Sequence, residues 1–147
     1  MEIWIVLNPI IKFLLYIAVF GSVGTLVFIF HFYRLLTPLQ LDYCSSTSQK
    51  FTKVGVLVSF ISILSIPGNM SGDLIGIIDI NMVNLSIDTL ALKASLFLFI
   101  GFILIYFLPI NFKKMFFIGN TLAIFLILFS FIVIGHSTKG GILTQSL

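Results

Sequence analysis

Charge is what this sequence has least of. Only 9% of its 147 residues are Asp, Glu, Lys or Arg, against roughly a quarter in a soluble domain, so there is too little polar surface to keep a globule of this size in water. Cysteine is nearly absent as well. Cys44 stands alone, which excludes an intramolecular disulfide and a cysteine-built zinc site and leaves a lone reduced thiol. A Gly-rich phosphate loop, paired catalytic carboxylates, a His-x-x-x-His pattern and any nucleophile-base-orienter set are also missing, so the residues give an enzyme no footing. The net charge of +3 is small, and its basic residues lie at loops and helix ends without forming a stripe, which speaks against a nucleic-acid partner.

What is present is apolar. Hydrophobic residues make up 59% of the chain, 17 of them Phe, and the mean hydropathy is +1.21. A hydrocarbon core of about 30 Å takes roughly 20 apolar residues per helix, and four such runs use up nearly the whole length. The expectation is an all-α membrane protein: one four-transmembrane-helix bundle over residues 1–147, with spans near 9–33, 48–70, 90–108 and 115–135. The first run is too long for a cleavable signal core and lacks a small-residue cleavage pattern. Pro9 suits a first helical position with Asn8 capping the turn before it. Between Val54 and Ile66 the second run is only 13 residues long, too short at about 1.5 Å per residue. It must therefore start near Ser48 and pass Pro67 and Gly68 to about Met70, with a kink at the proline. The third span stops at Pro109.

The few charges are sorted by side. Arg34, Lys50 and Lys53 lie between spans one and two, and Lys113 and Lys114 between spans three and four. The other side has Lys12, Lys93 and Lys139, and its connection between spans two and three holds Asp73, Asp79 and Asp88. Basic residues are retained on the cytoplasmic side, so both termini are expected outside, in the periplasm of a bacterium. Small residues at helical spacing mark how the spans meet in the lipid bilayer: Ala18, Gly21, Ser22 and Thr25; Gly55, Ser59 and Ser62; Gly119, Ala123 and Ser130. These read as packing surfaces.

Polar groups against the membrane are where chemistry would sit. His136 follows directly on the apolar run of span four, and Met70 and Asp73 reach the same outer level from span two. A neutral imidazole and a thioether suit a soft monovalent copper ion, with the carboxylate attracting the cation; an interfacial anchor for His136 and packing roles for Met70 and Met82 are the alternative. Lys12 and Lys93 either snorkel to headgroups or form a buried pair with Glu2 or Asp88. His31 and His136 fall at opposite depths, which argues against one haem held between them. Cys44 falls in a cytoplasmic connection.

Four features together resemble a known family: Lys12-Phe13 early in span one, the stretch Phe20-Gly21-Ser22-Val23-Gly24, Met70-Ser71-Gly72 closing span two, and Gly135-His136-Ser137 closing span four. The chain is similar over nearly all its length to the N-terminal half of the copper resistance protein D family, bacterial inner-membrane proteins of copper uptake and tolerance. Thr89 fits the pattern before span three and Lys93 stands where the family often has Arg, but the Gly and Trp expected there are missing. Family members typically continue into about four further helices, so the resemblance implies a half-size member, pairing with itself or a second membrane subunit, or a truncated product. It further implies copper ion transport as the task, His136 and Met70 as outer-side copper contacts with Asp73 in support, and a periplasmic copper-binding protein of the copper resistance protein C type as partner. A non-catalytic structural subunit of a larger membrane complex is the competing expectation.

Overall fold

The computed structural model describes residues 2–108 and 113–144, with side chains for 3–108 and 115–133. Five α-helices and one short 3-10 turn make up these residues: α1 Glu2–Phe32, α2 Pro38–Ser71, a 3-10 turn Leu74–Ile77, α3 Ile80–Ile87, α4 Leu90–Phe107 and α5 Lys113–Thr144. Four of them, α1, α2, α4 and α5, are long and apolar enough to cross a membrane, the build of a multi-pass membrane protein.

Antiparallel packing follows from which residues meet. Asn8 pairs with Asn69 and Ser48 with the Ser22 carbonyl along α1 and α2, Ser62 meets Ser95 along α2 and α4, and Phe97 meets Phe129 along α4 and α5. The circuit closes through rings, with Tyr16 stacked on Phe131 at 5.7 Å and Phe30 against Phe117 at 5.0 Å. Around the bundle the order is therefore α1, α2, α4, α5, which leaves α2 and α5 on one diagonal and α1 and α4 on the other.

Small residues set how closely the helices approach. Gly55 of α2 lies under the Phe102 ring of α4, and Gly68 of α2 lies under the Trp4 indole of α1; a Cβ at either position would overlap the ring. Phe102 is completely buried as a result. Ala18, Ser22, Ser59, Ala123 and Ser130 are also completely buried, while Phe13, Phe20, Leu57, Ile118 and Phe125 face outward at 60% exposure or more. In a water-soluble bundle that arrangement would be costly. In hydrocarbon it places polar atoms among protein and apolar ones against lipid.

Helix ends differ from the sequence reading in three places. α1 begins at Glu2, so Pro9 is interior and Asn8 is no cap. α2 begins at Pro38, ten residues before the expected start, because Thr37 and Gln40 form a reciprocal capping box and Pro38 occupies the first turn. It then runs 34 residues through Pro67 to Ser71. α5 extends past His136 to Thr144, so that histidine is not at a helix end.

α4 is the shortest span at 18 residues, about 27 Å. Its partners on α2 fix its register to about residues 50–67, so the polar stretch 38–49 of α2 projects beyond the end of α4. At the other end, the connection between α2 and α4 folds back instead of looping away. Gly72 takes a left-handed φ of 76°, and Gly76 then packs on Ser71 and the Pro67 carbonyl. Asp73 caps the 3-10 turn, Asp79 caps α3 and Thr89 caps α4.

Candidate functional site

Sequence logic singled out Met70, Asp73 and His136. Met70 is 46% exposed in the last turn of α2, just before the left-handed Gly72 that ends the helix. Asp73 follows the turn, and its Oδ1 accepts the Leu74 amide at 2.6 Å. That bond gives the carboxylate a local structural task while leaving its other oxygen toward the surface. Ser71 ties the turn together: its hydroxyl is within hydrogen-bond reach of the carbonyls of Gly68 and Asp73, at 3.0 and 2.9 Å, its one proton serving either, and it accepts the Asp73 amide.

His136 lies on α5, across the diagonal from Met70, and its side chain is outside the described residues. Its backbone level can still be placed. Tyr16 of α1 is level with Phe131, and five further residues along α5 bring His136 about 7.5 Å toward the Trp4 end. Because the helices are antiparallel, this is the level of Ile11, about 6 Å deeper than Met70. The fold thus brings Met70 and Asp73 together on one turn and puts His136 at the same end of the bundle, on a different helix and deeper. No group of three or more His, Cys, Asp or Glu side chains suited to a metal occurs among the described residues. Lys12 and Lys93 are both exposed, as snorkelling side chains are, and Asp88 closes α3 at the surface. His31 is at the opposite end, edge-on to Phe32 at 4.7 Å.

A polar element that the sequence reading passed over is built around Asn120. α4 ends at Phe107 while α1, α2 and α5 continue, and beneath its end a small cavity of about 10 Å³ is bounded by Ser45, Ser48, Gln49, Leu108 and Asn120 among others. Asn120 is completely buried; its Nδ2 donates to the Phe116 carbonyl at 2.8 Å, and its Oδ1 has no partner. The volume matches about one water. An asparagine inside an apolar run at residues 115–133 was the available signal.

The other buried polar residues hold helices. Ser48 donates to the Ser22 carbonyl at 3.3 Å, and Ser62 and Ser95 share a hydrogen bond at 3.3 Å. Thr52, Ser59 and Ser65 bond carbonyls of their own helix, which satisfies them without a ligand.

Compared with known protein families, with curated proteins and with solved structures, the chain matches none.

Proposed function

We propose that this chain serves copper homeostasis in the bacterial inner membrane, aiding passage of copper ions into or across it, without catalysis. The observation that supports this reading best is the Met70 turn. The Met-Ser-Gly element that resembles the copper resistance protein D family forms the end of a membrane-length helix, with the Met70 thioether exposed and the Asp73 carboxylate one turn beyond it. Thioether sulfur favours monovalent copper over harder cations, and the carboxylate raises its local concentration. His136 supplies a second donor from α5, deeper along the path. The excess of Lys and Arg at the Tyr33 end orients this turn and both termini to the periplasm, where a copper-binding protein of the copper resistance protein C type would hand over the ion. The test is copper accumulation and copper tolerance of cells carrying Met70→Ala or His136→Ala at unchanged expression. Both fall in this reading; unchanged values in both variants refute it.

A second reading is favoured by the α1–α2 flank. An open groove of about 730 Å³ runs beside Phe28, Leu36, Leu39 and Tyr43, wide enough for the side chains of a neighbouring helix. A structural subunit would present such a surface to a larger complex. Native mass spectrometry of the extracted protein separates the two, since a heteromer without metal favours the subunit and a monomer or homodimer retaining copper excludes it.

A further inference from the structure

A second cleft, on the α2–α4 flank, is apolar apart from one basic residue in its lining. It measures about 410 Å³ and is almost wholly apolar; Val56, Leu57, Phe60, Ile103 and Phe107 line it together with Lys53 and Tyr106, the two lining residues whose side chains end in a polar group. Lys53 projects from α2 opposite the last turn of α4, by the register that pairs Gly55 with Phe102. With the 18-residue α4 as a span of the hydrocarbon core, its last turn falls where acyl chains give way to phosphates.

The charge there is unopposed. Five of the chain's eight basic residues, Arg34, Lys50, Lys53, Lys113 and Lys114, belong to the Tyr33 end, against one acidic residue, Asp42. Asp42 precedes Lys53 on α2 by eleven residues, about 16 Å along the axis, beyond the Debye length of about 8 Å at physiological salt. A lysine and a tyrosine in the lining of one apolar cleft match an anionic headgroup with an attached acyl chain. A zwitterionic headgroup carries its own cation and gains less.

We propose that the α2–α4 cleft is a binding site for an anionic phospholipid, with its phosphate on Lys53 and the Tyr106 hydroxyl and one acyl chain laid along Leu57, Phe60 and Phe107. The site is independent of copper and of which side of the membrane the Tyr33 end faces. The α1–α2 groove differs from it in having Asp42 in its lining and no basic residue, which disfavours the same ligand there.

The test uses full-length protein, delipidated in a mild detergent and titrated separately with dioleoyl phosphatidylglycerol and dioleoyl phosphatidylcholine, with bound lipid read by native mass spectrometry. Wild type is expected to retain phosphatidylglycerol about fivefold better than phosphatidylcholine, the contribution typical of one basic residue at the interface. Lys53→Ala, a change on an exposed side chain that the fold tolerates, abolishes that preference, whereas Lys12→Ala at the other end keeps it. Equal retention of the two lipids by wild type, or an undiminished preference in Lys53→Ala, overturns the proposal.

Discussion

Asn8 and Asn69 face each other as a reciprocal amide pair across the α1–α2 seam. Asn8 Nδ2 donates to Asn69 Oδ1 at 2.7 Å, and Asn69 Nδ2 donates back to Asn8 Oδ1 at 3.1 Å. The same Asn69 nitrogen also reaches the Ser65 carbonyl at 2.8 Å. One pair of side chains thereby fixes the register of two helices next to the Met70 turn. Removing either partner leaves an amide beside lipid with half its bonds unmade. Asn8→Ala and Asn69→Ala are each expected to lower stability by about 1 kcal/mol, the range of interhelical hydrogen bonds in membranes. The double variant should lose less than the sum of the two, as read by thermal unfolding in detergent; strict additivity would show that the pair is not coupled.

The contact between Gly55 and Phe102 is the tightest test of α2–α4 packing. Phe102 is buried without remaining exposure and its ring occupies the space a Cβ at position 55 would need. Gly55→Val should therefore destabilise by about 1–3 kcal/mol through overpacking. Phe102→Leu in the same chain should recover part of that loss. A neutral Gly55→Val would place the two helices further apart than described.

Much of this architecture was legible in the residues. Four apolar runs give four membrane-length helices, and the small-residue spacing of Ala18, Ser22, Ser59 and Ala123 marks positions that are completely buried. Helix ends were less legible because two of them are decided by side chains of low hydropathy. The Thr37–Gln40 capping box starts α2 in a stretch that reads as a polar loop, and Asn8, which looks like a cap, is engaged by a residue 61 positions away. The diagonal placement of α2 and α5, which separates Met70 from His136, is a property of packing order that hydropathy does not carry. Asn120 was missed for a related reason: its cavity exists only because α4 ends before its neighbours.

The connection between α2 and α4 has an inverted pattern. Ser86 of α3 is buried while Ile78, Ile80 and Leu85 are exposed by 81%, 75% and 59%. This segment packs on the last turns of α2 with its apolar side outward, which predicts a place in the membrane interface instead of water. In a Cys44→Ser background, Ile78→Cys and Ile80→Cys should resist a membrane-impermeant maleimide in proteoliposomes, while Asn84→Cys, also exposed, reacts faster. Equal, rapid labelling at all three positions would put the segment in solvent.

Orientation is checked in the same background with Leu39→Cys, a position 81% exposed at the start of α2. The charge bias predicts that intact spheroplasts leave it unlabelled by an impermeant maleimide and that lysis exposes it. Labelling before lysis would reverse the topology and move the Met70 turn to the cytoplasm.

Copper itself decides the functional reading. Purified wild type, Met70→Ala and His136→Ala are exposed equally to Cu(I), washed, and measured for copper by elemental analysis. The expected result is copper retained by the wild-type chain, with the soft donors Met70 and His136 each holding it at a separate point, and with marked loss in both variants. Copper absent from wild type, or retained equally by all three proteins, would contradict copper binding at these residues.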